Sequence, residues 1–169
     1  MDFCAITDID LTARELIQLT DDNVPLIVTV ASLETAIAGG DMSGFTEEIQ
    51  TATAKAIDSI NKTIAHATTL INSYVGERYT LPFAAVPELV KTIAVDIATW
   101  RLYFRKKKDK LPEAVQSAYD NSVKLLAQIR DGKIGIGVTP AGSNVEPETG
   151  SMQVTAATAI FTSDVMERY

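Results

Sequence analysis

The chain contains one imidazole, His66, and one thiol, Cys4. His66 lies inside a segment of helical periodicity, with no Cys or acid at a metal-ligand spacing. It reads as a structural or exposed imidazole rather than a ligand or base. Cys4 has no sequence partner that would activate a thiolate. Two carboxylate pairs, Asp21-Asp22 and Glu47-Glu48, could perform acid–base chemistry, but both fall near helix termini, where the helix dipole accounts for them. The run GKIGIG at 132–137 resembles a glycine-rich phosphate loop superficially. It follows a helix rather than a strand, and no Lys-Ser/Thr helix follows it. No catalytic constellation emerges, so the sequence predicts a protein that is not an enzyme and carries neither cofactor nor metal.

Two further clusters concern binding. RKKKDK at 105–110 places Arg105, Lys106, Lys107, Lys108 and Lys110 at a helix C-terminus, where positive charge is favourable on electrostatic grounds alone. Contact with nucleic acid or an acidic partner is the alternative use. The run has no interleaved aromatics, which argues against a single-strand stacking platform. INSYVGERYTLPF at 71–83 carries Tyr74 and Arg78 four residues apart on one helical face, followed by Tyr79. On the next helix, Asp96 lies between Ile93 and Ile97, on the side that ought to be buried, and a buried carboxylate needs a partner. The short connector predicts an antiparallel hairpin. The expectation is an Arg78–Asp96 ion pair with Tyr74 over the guanidinium stem: a lock between helices made by Tyr74, Arg78, Tyr79 and Asp96, not a ligand site.

The elements that would position these groups are mostly helical. A first element opens at Thr7, with Asp10 three residues on. Residues 25–38 form a second helix, with Pro25 near its start, Leu26, Val30, Leu33 and Ile37 on one stripe and Gly39-Gly40 as its stop. Thr46, Glu47 and Glu48 start the next helix. From there Ile49, Thr53, Ala56, Ile60, Ile64, Ala67, Ile71 and Tyr74 keep the 3.6-residue period. The surface of this helix is Thr, Ser, Asn and Ala, which predicts packing on more than one side. Pro87 opens a helix through about Arg105 with Leu89, Ile93, Ile97, Trp100 and Phe104 inward. Pro112 opens another with Val115, Ala118, Tyr119, Ser122, Leu126 and Ile129, ended by Gly132. KIGIGV at 133–138 alternates like a short strand. The predicted fold class is all-α: a helical bundle on a long central helix with antiparallel partners, a short β element, and an extended C-terminal tail. The organisation is a core at 1–138, a linker at 139–151 and a docking tail at 152–169. Ile160, Phe161, Val165, Met166 and Tyr169 are its docking side chains.

The 169 residues set one domain. With 46% hydrophobic residues there is apolar surface enough to fold. Mean hydropathy is +0.09, and no stretch approaches the roughly 20 apolar residues of a membrane span. MDFCAITDID has acids where an export signal would have bases, and a single cysteine fits a reducing cytoplasm. The net charge of −7 is segregated: residues 1–60 hold 11 acids and 2 bases, and residues 101–133 hold 9 bases and 4 acids. An acidic chain is a poor non-specific DNA binder, whereas oppositely charged regions suit head-to-tail contact between copies.

INSYVGERYTLPF, VPELVKTIAVDIATWRLYF and AYDNSVKLLAQIRDGKIGIG together resemble the small head–tail connector (neck) proteins of Mu-like tailed phages. Tyr74, Arg78, Tyr79, Leu81, Pro82, Asp96, Ile97, Ala98, Gly132 and Lys133 are the matching positions. ITDIDLTARELIQLTDD and FTSDVMERY resemble the family's ends, and residues 24–50 depart from it as an inserted helix and a lengthened one. The resemblance implies a non-enzymatic virion subunit, assembled in the host cytoplasm, that forms a dodecameric ring beneath the portal. That ring would carry packaged DNA through its lumen without sequence-specific binding and would meet tail or stopper proteins. A tail-completion or terminator ring protein, and a helical DNA-binding adaptor using residues 105–110, are the alternatives.

Overall fold

The computed structural model describes residues 2–107 and 110–141. Helix starts fall where a side chain can take up backbone N–H groups that lack an intrahelical partner. Thr12 caps α1 (Ala13–Thr20) and forms a reciprocal box with Glu15, whose carboxylate accepts the Thr12 N–H at 2.9 Å. Thr29 and Ser32 do the same for α2 (Val30–Ile37). Thr46 caps α3 (Glu47–Val75), with Glu47 and Glu48 in the first turn as predicted. α4 (Glu88–Lys106) and α5 (Glu113–Arg130) open behind Pro87 and Pro112, whose rings fix φ for entry.

α3 is the axis of the molecule. Its 29 residues extend roughly 44 Å. The predicted stripe from Thr53 through Ala56, Ile60, Ile64, Ala67 and Ile71 is buried, with Ile49 and Tyr74 half-buried at its ends. All four other helices pack on α3. Ser59, Thr63, Thr69 and Ser73 donate their hydroxyls to carbonyls of α3 itself. These short side chains therefore leave no donor unmet where neighbours approach. Ser59 lies opposite Arg105, and Leu70 opposite Ile97, so α3 and α4 run antiparallel.

Four expectations need correction. The first helical cap is Thr12, not Thr7, which lies in a 3-10 turn at Ile6–Asp8. The second helix begins at Val30 rather than Pro25. Residues 24–29 are an irregular loop because the Ile27 and Val28 N–H groups go to the Asp21 carboxylate instead of to a helix. The buried face of α4 is Val90, Ile93, Ala94, Ile97, Ala98 and Leu102, while Phe104 is 40% exposed. Two stripes were available, and the one with Ala94 and Ala98 lets neighbouring backbone come closest. Finally, no strand forms at 133–138 or elsewhere among the described residues. The alternation is nevertheless real as burial: Ile134, Ile136 and Val138 turn toward the core between exposed Lys133, Gly135 and Gly137. A strand also requires a ladder partner, and this segment has none among the described residues.

Candidate functional site

The expected lock is built differently. Arg78 does not reach Asp96. The Asp96 carboxylate instead accepts a 2.7 Å hydrogen bond from the Ser122 hydroxyl of α5. The physical reason is distance along the helices: Asp96 lies more than two turns into α4, whereas Arg78 sits past the end of α3. The Arg78 guanidinium lies against Gly132 at the C-terminus of α5, and its Nε is buried without a hydrogen-bond partner. A cation beside exposed terminal carbonyls is favoured there. Tyr74 does not cover Arg78 either; its ring lies 5.8 Å from the Arg130 guanidinium. Tyr79 is buried, 5.9 Å from the Arg78 guanidinium and edge-on to Phe83, which contacts Phe3 in turn. Arg78 further accepts, through its carbonyl, the Ala141 N–H at 2.8 Å. Arg78 thus ties the end of α3 to the end of α5 and to Ala141, and Asp96 fastens α4 to α5 separately.

The basic run and the Asp21-Asp22 pair meet each other. Asp21 and Asp22 follow the C-terminus of α1, the negative end of its dipole, so the dipole cannot account for them. Asp21 is 3% exposed and its carboxylate accepts four hydrogen bonds. The donors are the backbone N–H groups of Asn23, Ile27 and Val28 and the Asn23 amide. Burial alone would raise its pKa, yet those donors hold it below the usual carboxylate range. The α1 carbonyls are met from α4. Arg105 donates to Leu19 and Thr20, and Lys106 donates to Asp21 at 2.6 Å. Both also pair with the Asp22 carboxylate, whose pKa is lowered chiefly by the Lys106 hydrogen bond, against some desolvation. Two of the predicted nucleic-acid contacts are thus internal ties. Lys107 lies 5.8 Å from the Tyr103 ring, and Lys110 is exposed. Lys108 and the tail residues Ile160, Phe161, Val165, Met166 and Tyr169 lie outside the described residues.

Between α3 and α4 runs an open groove made of two recesses of about 430 and 370 Å³ that share His66 and Arg101. Its floor is a stack of three rings. Trp100 lies 4.1 Å from Tyr119 and 4.8 Å from Phe104, with interplanar angles of 17° and 16°. Trp100 donates its indole N–H to Gln116 at 2.9 Å. No acid lines either recess. The sequence reading missed this stack because it placed Trp100 and Phe104 in the core. The signal was available in their spacing from Tyr119 across the α4–α5 turn.

Cys4 is buried, and its thiol is pushed up to about 11 by burial and by the nearby Asp8 and Asp2. Alkylation by iodoacetamide at pH 8 should therefore proceed at least about 100-fold more slowly in the folded chain than in denaturant. Mass spectrometry would read this. Among the described residues no helix is long and apolar enough to cross a membrane, and no group of His, Cys, Asp and Glu is placed to hold a metal ion.

Arg78, Tyr79, Asp96 and Gly132 lie within a segment, 4–156, that matches the protein family described as "Bacteriophage Mu, Gp36". The chain belongs to that family. Among Gp36 relatives, "Mu-like prophage FluMu protein gp36" of Haemophilus influenzae is 27% identical over 97 residues, covering 57% of this chain and 66% of the relative. "Gene product J" of Escherichia phage Mu is 32% identical over 75 residues, covering 44% of this chain and 50% of that protein. The chain thus spans between half and two thirds of the length of these Gp36 relatives.

Proposed function

We propose that this Gp36-family chain is a structural subunit of the virion neck. It forms a ring beneath the portal, lines part of the DNA channel, and offers a platform to tail or stopper proteins, without enzymatic activity. One observation carries the proposal. The side chains that bear the resemblance to head–tail connectors fix helix ends and core contacts: Tyr79 is buried, Arg78 sits on Gly132, and Asp96 holds Ser122. Residues used that way serve a rigid building block rather than turnover. The acidic first 60 residues suit a conduit that must not grip DNA. The DNA-binding alternative is weakened because Arg105 and Lys106 are held by Asp22 and the end of α1.

Electron microscopy of the full chain mixed with its phage's portal protein tests the proposal. An added ring of density on the tail-facing side of the portal is the expected result. Unchanged portal particles, with the chain sedimenting instead with tail tubes, would overturn it in favour of a terminator ring.

A further inference from the structure

The loop at 23–29 anchors Ile27 and Val28 against the core yet leaves Val24 and Leu26 in solvent. Three backbone N–H groups and the Asn23 amide donate to the buried Asp21 carboxylate and hold the loop in place, while Val24 is 98% and Leu26 50% exposed. An ordered loop that withholds apolar side chains from its own core is preorganised for a partner, because the ordering cost of binding is already met by folding. Asn23 and Ile27 border a recess that also contains Glu47, Glu48 and Lys55, so two acids and one base lie beside the loop.

The α3–α4 groove is its physical complement. It is concave where the loop is convex. Its floor is Trp100, Tyr119 and Phe104, and its rim holds Arg101 and His66 with no acid. Aromatic residues and arginine are the side chains that dominate binding at interface centres. Arg101 is exposed and makes no hydrogen bond or ion pair within the described chain. The loop does not fill the groove of its own chain, given the exposure of Val24.

We propose that the Val24–Leu26 loop of one copy seats in the Trp100–Phe104 groove of the next, with Arg101 and His66 facing the acids beside that loop. The two surfaces are different, so the contact is heterologous and propagates head to tail, as closed rings require. The inference rests on the self-association part of the proposed function and names its surface.

Two variants test it: V24D/L26D, with a spoiled loop, and R101E/F104A, with a spoiled groove. All four positions are exposed, so circular dichroism should match the parent; V24D/L26D should also melt with it, while R101E/F104A gives up the Phe104–Trp100 stack and should melt slightly lower. Sedimentation equilibrium should show each variant associating at least about 100-fold more weakly than the parent chain. Mixed together, they should form dimers and stop there, since one copy keeps a loop and the other a groove. V24C mixed with F104C should cross-link between the two variants on oxidation, in preference to like pairs. A parent chain that assembles while V24D/L26D assembles equally well overturns the interface and leaves the ring proposal standing. Loss of assembly in R101E/F104A alone overturns it too, by assigning the groove another occupant. A cross-link without any ring on the portal would sink the neck function and leave the interface intact.

Discussion

Asp21→Ala should lower the stability of the folded chain by about 3–5 kcal/mol, the cost of leaving the buried Val28 N–H and three part-buried donors without an acceptor. Thermal unfolding would read this as a fall of roughly 10 °C or more. Asp21→Asn should cost about half as much. An amide keeps one carbonyl oxygen, enough for either the Asn23 pair of bonds or the Ile27 and Val28 pair, but not both. Acid should mimic the alanine variant. The folded-state pKa values of Asp21 and Asp22 are depressed, so in the unfolded chain both carboxylates take up protons first. Their contribution is complete above the unfolded value near 4 and is lost as pH falls through the folded values. The D21A variant should therefore lose less stability than the parent between neutral pH and pH 3. An equal pH dependence would refute this role for Asp21.

Gly132→Ala should be the second large effect. Gly132 has φ +76° at the end of α5, and an added Cβ would lie 1.6 Å from Nη1 of Arg78. The φ strain costs about 1 kcal/mol for alanine. Displacing the guanidinium adds to it, for a total of about 2–3 kcal/mol by chemical denaturation. In an Arg78→Ala background the clash is gone and only the φ strain should remain. The double-mutant cycle should thus show a coupling of about 1 kcal/mol or more. Additive costs would mean that Arg78 and Gly132 do not touch.

What could be seen in the sequence followed the length of each signal. α3 was legible because an uninterrupted apolar stripe over 25 residues has no competing explanation. Thr46, Pro87, Pro112 and Gly132 marked boundaries through local chemistry that holds whatever the tertiary surroundings. The loop at 24–29 was not legible: PLIVTV has the apolar content of a helix or strand, and only the fold shows that Asp21 takes its N–H groups. The partner of Asp96 was sought among charges, although Ser122 already stood on the predicted inner stripe of α5 and a hydroxyl suffices for a half-buried carboxylate. Arg78 was misassigned because adjacency of the α3 and α5 ends is a tertiary fact with no trace in spacing. RKKKDK was legible as a helix terminus, but the carbonyls that Arg105 and Lys106 would meet belong to α1, some 85 residues away.

The central helix also constrains how such chains can change length. Ser32 bonds α3 at Thr53, while α5 packs on α3 with Tyr119 and Ser73 lining one recess between them. Deleting a single residue between those points would rotate one end by about 100° against the other. Either the α2 contact or the α5 contact would then face the wrong way. Insertions and deletions should therefore fall in the connections around α3, at 38–46 and 76–87, or come in near-multiples of its turn. The span of α3 between Thr53 and Ser73 is in this sense a ruler, and relatives of different size should differ outside that span rather than within it.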